Sequence, residues 1–569
     1  MAAGTRRGLV LLGTHSFVVQ SLRVVFTALF MEYYVHGFLL IVDTRKGKKA
    51  SLTDILEWRL RISKLGLCVL VAAQLMYTIA SVLDGSGVVA FSSVVARVWR
   101  LTPRQRLASN EHCFALAFGV SWWMLRLPLV PSAVSFTLAT AVVGILSDRC
   151  TAFAQKLARE MATQRPKEER LVQLASRAAS GGAAVVVLVA ALLYDGSCPK
   201  RKFLRGFHWC LLLLSGAAVC AFSGLQRWRC SSHGEEAPSA ARGECSLSSH
   251  SVSGFGGATM IEFQGFVRQT WQRRSMKALL VVRALHCYVH AVVVGFFHLL
   301  LTLGCAPRLS AAARAIILTF VVAAPSFLAP MHIASAGAVG KKRLVLIMLL
   351  GVCALGLVSL VAAFFMRGAV EVAVAPALGE GGTATSSGAG IWLCAILLTL
   401  LRLLLDSVRD VLELAQEDVV EEDAILFGRA TPMASWTRRL CALVTTPMES
   451  LSRIATVLLL AFTNAFESVV LAPPAIIDNS TITQAASALQ RAAAALALEQ
   501  ASLSSAFPAV VATANATSTV LALLSLHTSG VALLMMVVWH RYYNLEGKHL
   551  LFVQMATRKR KDEQCVALI

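Results

Sequence analysis

A dozen apolar runs, spread over 569 residues, decide what this chain can fold into. A helix that crosses about 30 Å of hydrocarbon needs roughly 20 apolar residues. Stretches of that order fall near 16–41, 64–83, 110–128, 130–150, 176–195, 205–225, 277–303, 311–335, 343–366, 388–410, 437–471 and 517–539. Water cannot be the solvent for most of such a chain: 56% of its residues are hydrophobic, 15% are charged and the mean hydropathy is +0.66. A soluble protein would need more charge to cover that surface. The expectation is an all-α, polytopic membrane protein of twelve transmembrane helices. The third and fourth runs share the tight LPLVP turn at Leu127 to Pro131, and the eleventh is too long for one straight span.

Between the sixth and seventh runs the apolar pattern stops. Residues 227–274 hold HGEEAPSAARGECSLSSHSVSGFGG, a Ser/Gly/Glu-rich stretch that reads as a cytosolic linker, disordered in part. It divides an N-terminal six-helix bundle, 1–226, from a C-terminal six-helix bundle, 275–545, with a long non-cytosolic loop at about 472–516 and a basic cytosolic tail, 546–569. Two such bundles about a central axis suit a transporter. No internal repeat is visible by eye.

Lys and Arg exceed Asp and Glu by 21. The basic residues cluster between apolar runs, as at Lys341-Lys342-Arg343 and between Arg149 and Arg177, where they set orientation and meet anionic headgroups; nucleic acid is not an expected partner. The N-x-S/T sequons Asn479 and Asn515 both fall in the loop after the eleventh run, which places that loop outside and both termini in the cytosol. Trp539, Tyr542 and Tyr543 form an interfacial anchor before the basic tail. Arg6-Arg7 followed by GLVLLG has the opening of a signal peptide, but no convincing cleavage site follows, so no cleavable leader is expected. The plasma membrane and the endomembranes both remain open.

An ionisable group near the bilayer centre costs at least about 2.5–3.5 kcal/mol, so those inside runs are the site candidates. Glu32 and His36, with Tyr33 between them, share a face of the first span; they form a proton or polar-solute site, or they sit in the outer interface. Asp148 and Arg149 close the fourth span, read first as a plain helix end and second as a cavity group. Arg283, His286 and His290 lie on the seventh span, lining a cavity or bonding between helices. On the tenth, Arg402 and Asp406 stand four residues apart after a dozen apolar ones, spacing that suggests a buried ion pair, with direct solute contact as the second reading. The acidic stretch Glu417 to Asp423 is by default a solvated charge run, or it faces Arg438 and Arg439 as a cytosolic latch. No metal-ligand spacing occurs among the 14 cysteines, and no P-loop, GxSxG or HExxH is present, so neither metal, cofactor nor enzymatic activity is expected.

Several segments in consistent order resemble a transmembrane-protein-180-like branch of the major facilitator superfamily, related to the glycoside-pentoside-hexuronide:cation symporters. They are FMEYYVHGFLL (30–40), RALHCYVHAVVVGFF (283–297), VVAAPSFLAP (321–330), the Arg402/Asp406 pair, DVVEEDAILFGRATPMASWTRRLCALVTTP (418–447) and WHRYYNLEGKHL (539–550). The resemblance implies the major facilitator fold and alternating access, with Arg402 and Asp406 near the central cavity. The loop after the second span keeps Asp84 and Gly87 but lacks the compact basic ending of the superfamily's signature, and the symporters' carboxylates reduce to Asp84 and Asp148. The expected function is a secondary transporter of a small organic solute, monomeric in the lipid bilayer, with coupling to H+ or Na+ open. The rivals are a non-transporting receptor or scaffold on the same fold and a lysolipid carrier.

Overall fold

The structure, a computed structural model, describes residues 3–43, 68–69, 71–80, 103–124, 138–151, 153–154, 169–194, 201–231, 257–305, 309–374, 388–429, 433–462 and 500–567. Regular structure among them is helical throughout. The main helices are α1 (Ala3–Asp43), α2 (Pro103–Met124), α3 (Glu169–Leu193), α4 (Arg201–Ser231), α5 (Gly257–Trp271), α6 (Arg274–Gly295) and α7 (Phe297–Cys305). They continue with α8 (Ala311–Val339), α9 (Lys341–Val374), α10 (Gly388–Leu426), α11 (Ala434–Phe462), α12 (Gln500–Tyr542) and α13 (Gly547–Ala567). Shorter helical pieces lie at Val71–Ala80 and 138–151.

Among the described residues six helices are long and apolar enough to cross a membrane: Leu9–Phe30, Gly206–Arg227, Arg274–Gly295, Ala311–Val339, Lys341–Ala363 and Leu521–Tyr542. Their outer faces carry exposed Leu213, Phe327 and Leu350. Such a surface is a liability in water and natural in hydrocarbon. The chain is an integral, multi-pass membrane protein.

Lipid is as apolar as leucine and does not drive helices together, so small residues and hydrogen bonds set the pairings. Along α2 and α4, a Cβ added to Gly119 would come within 2.5 Å of Ser215 Oγ, and that hydroxyl donates to the Ala115 carbonyl at 2.7 Å. Along α9 and α12 the same device recurs: Gly356 makes room for Ser529, whose hydroxyl donates to the Cys353 carbonyl at 3.2 Å. Similarly, α1 runs along α3 and α6 along α11. The helix pairs of the first half therefore reappear in the second.

Two apolar cores follow from this packing. The first gathers Leu22, Phe30, Phe118 and Trp122, and continues into the second half at Phe297 and Leu398. The second lies within the later helices, around Leu279, Leu349, Leu405 and Trp539. Across the boundary α3 packs on α8 and α1 on α7. Ser310 caps α8 by accepting from the Ala313 N–H at 3.2 Å; Pro325 and Pro330 sit inside this helix, and it ends at Gly340, whose φ of 91° favours glycine.

Several stretches hold more helix than their composition suggests. α4 reaches Ser231 and α5 fills Gly257–Trp271, both inside the expected linker. α5 forms because Phe263 and Phe266 pack on Trp436 of α11, ring centroids 6.0 and 5.4 Å away. α12 begins at Gln500, within the expected loop, and the basic tail is the helix α13, which packs on α10 and buries Val553. The seventh run is broken: α6 ends at Gly295 and α7 begins at Phe297, with Phe296 at φ −113° and ψ 11° between them.

Candidate ion and solute pathway

α6 and α10 run antiparallel with a constant register of polar contacts. His290 Nε2–H donates to Asp406 Oδ1 at 2.8 Å. One turn away His286 Nε2–H donates to the Leu405 carbonyl at 2.9 Å, the two imidazoles 5.4 Å apart. Arg283 donates to Gln416 and lies 3.9 Å from Glu413. Ser275 donates to Glu422 at 2.7 Å, and Arg273 pairs with both Glu422 and Asp423. Asp406 also meets Arg409 at 3.5 Å, Arg409 lies 3.6 Å from Asp410, and Asp410 faces His332 of α8 at 3.6 Å. Three of the sequence candidates, Arg283, His286 and His290, are thus joined to Asp406 by one helix interface.

Arg402 behaves otherwise than its spacing suggests. It forms no ion pair with Asp406 within 4.0 Å; its guanidinium lies over the Phe297 ring, 4.7 Å from the centroid, and Nε has no hydrogen-bond partner. Helical side chains lean toward the helix N-terminus, which carries Arg402 away from a partner four residues later. Acid before base is the favoured order, and Asp406 takes it with Arg409 while His290 approaches from α6.

A second cluster joins the two halves. Asp148 Oδ1 lies 3.7 Å from Arg23, and Tyr77 donates to Asp148 Oδ2 at 3.2 Å. The Arg23 and Asp148 side chains are 44% and 52% exposed. Asp148 is also within electrostatic reach of Glu449 and Arg453 on α11. Arg453 pairs with Glu449 and donates across the boundary to Gln74 Oε1 at 3.2 Å. Asp148, near the end of the helical piece 138–151, thus has polar partners on α1 and on Val71–Ala80.

Sequence reasoning passed over Gln74, Tyr77, Glu449 and Arg453, although Glu449 and Arg453 stand one turn apart inside the eleventh run. It also passed over His15 and Glu111, both 0% exposed and 2.9 Å apart. Tyr33 is buried, with its hydroxyl against His208 Nε2. Glu32 and His36 lie on α1 and Asn515 on α12, their side chains outside the described residues, as is Asn479 altogether. No group of three or more His, Cys, Asp or Glu suited to a metal occurs among the described residues.

At the far end of α10 two residues of the acidic stretch, Glu422 and Asp423, gather basic and polar partners. Glu422 meets Arg273, Ser275 and His549, and Asp423 meets Arg273 and Arg429 at 3.1 and 2.9 Å. Arg439 lies over the Phe263 ring. Lys341 pairs with Asp418 at 2.7 Å. Burial pushes the Asp418 carboxyl above its usual range, and the Lys341 ammonium works against that.

The nucleoside transporter NupG superposes on this architecture with a TM-score of 0.51 at 12% identity, over 94% of this chain and 99% of that one. The chain has the major facilitator fold. A D323A mutant of NupG gives 0.50 at 11% identity, over 93% and 99% of the two chains. The bacterial homolog to the human lysosomal transporter Spinster, inward-facing and unoccupied, gives 0.44 at 12% identity, over 95% and 98%. No family model and no curated protein matches the sequence. At this identity the likeness is one of fold, and the ionisable residues inside are argued from this chain alone.

Proposed function

We propose that this chain is a secondary transporter that moves a small organic solute by rocking one bundle against the other, in the manner of a transmembrane-protein-180-like branch of the facilitators. The observation that carries the reading is the His290–Asp406 pair at the α6/α10 interface of a facilitator fold. Intramembrane ionisable residues are costly, and an imidazole bonded to a carboxylate offers a site where a coupling proton can be held and released. Both termini lie in the cytosol on this reading, and Asn479 and Asn515 are glycan acceptors on the other side.

Uptake into proteoliposomes across a panel of solutes, under an inward proton gradient, tests it. Native protein should exceed empty vesicles for at least one solute, and Asp406→Asn and His290→Ala should lose the gradient-driven part. Equal flux in native and empty vesicles across the panel contradicts it.

A further inference from the structure

Arg402 is 7% exposed, lies on a ring and meets no carboxylate within 4.0 Å among the described residues. An uncompensated cation at such depth is strongly unfavourable. Its neighbours explain how it persists. Within the α10 cluster, Asp406 and Asp410 as carboxylates balance Arg402 and Arg409, so the group is neutral while His290 and His332, which faces Asp410, are neutral. Beside His290 are His286 on its own helix and, from α10, Asp406, which Arg409 also meets; Glu449 and Arg453 on α11 pair with each other, and His527 of α12 meets the Tyr288 ring edge-on. A proton on His290 would occupy Asp406 more fully and leave the cluster with one positive charge in excess, nearest the guanidinium whose Nε has no hydrogen-bond partner.

We propose that Arg402 is the seat of a monovalent organic oxyanion, a carboxylate or phosphate, and that a proton on His290 accompanies it so that the pair moves without net charge. Phe297 lies against the guanidinium, and Nε has no protein partner, so on this proposal the guanidinium edge that carries it meets the oxygens of the anion. This rests on the carrier reading for movement, but not for binding. A water-soluble anion and the headgroup of a lysolipid share this chemistry.

The test uses the full chain in nanodiscs of uncharged lipid, following tryptophan fluorescence on heating. The probes are benzoate, lactate, diethyl phosphate and lysophosphatidylglycerol, all monovalent at both pH values, with benzamide and glucose as neutral controls. At least one oxyanion should raise the native melting midpoint, more at acidic than at neutral pH, and the controls should not. Arg402→Gln should abolish the shift without lowering the ligand-free midpoint; Arg402→Lys should keep a reduced shift, which guards against a folding defect in the first variant. A shift with the soluble anions assigns a free solute, and one with the lysolipid alone assigns a headgroup; either supports the proposal. No shift with any oxyanion, a shift that survives Arg402→Gln, or a ligand-free Arg402→Gln and Arg402→Lys that both melt far below native overturns it. Anion binding without flux in proteoliposomes would remove the carrier reading and leave this site, whereas flux of a neutral solute alone would do the reverse.

Discussion

Asp406 shows how much one carboxylate organises. It receives the His290 N–H and faces Arg409, with Arg402 one turn back on the same helix. Asp406→Asn would leave those cations without their counter-ion, and removing one partner of a buried pair costs about 3–5 kcal/mol. We expect a lower thermal midpoint for Asp406→Asn than for His290→Gln, since the latter keeps a donor to the carboxylate; equal midpoints would mean that Asp406 is not the hub. That these residues stand out was legible in the sequence, because charge in an apolar run announces itself. Their partners were not. Spacing along one helix suggested Arg402 with Asp406, whereas the partner of Asp406 comes from a different helix and the lean of a long side chain carries Arg402 away.

Helices in this chain are held by small contacts at their seams. Gly356→Leu would force α9 from α12 at Ser529 and should destabilise by about 1–3 kcal/mol, while Gly530→Ala on α12, with open space around it, should be neutral or slightly stabilising. Comparable losses at both positions would contradict the close approach. The Lys341–Asp418 pair ties the start of α9 to the end of α10. Because the folded Asp418 carboxyl lies above its ordinary value, the folded chain binds more protons than the unfolded one in that window, and this group's contribution to stability falls as pH rises through it. Lys341→Ala removes the opposing ammonium and should deepen that fall: its deficit against native is small in acid and grows toward about 3 kcal/mol at neutral pH. A deficit that shrinks as pH rises would refute this. Apolar runs made the spanning helices visible in the sequence. α5 and α13 were hidden because each contributes only a few buried residues, Phe263 and Phe266 in one and Val553 in the other, within a polar average.

The two bundles meet along α3 with α8 and at the Gln74–Arg453 bond. If rocking is the working motion, that bond belongs to the state seen here and must break in the other. Gln74→Ala should shift the balance away from this state by about 0.6–1.5 kcal/mol, up to roughly tenfold in population. The recurrence of α1 with α3 and α2 with α4 as α6 with α11 and α9 with α12 supports motion of each half as a unit. That recurrence could not be read from the sequence, because a glycine and a serine suffice to rebuild the same seam and leave the rest of the helix free to diverge. The most direct measurement places spin labels at Leu174 near the start of α3 and Ile347 near the start of α9, both on exposed faces, in the full chain in nanodiscs. Pulsed dipolar spectroscopy should give two distance populations whose ratio changes between acidic and neutral buffer and moves further with Gln74→Ala; a single distance, unmoved by either, would contradict a carrier that works by rocking its bundles.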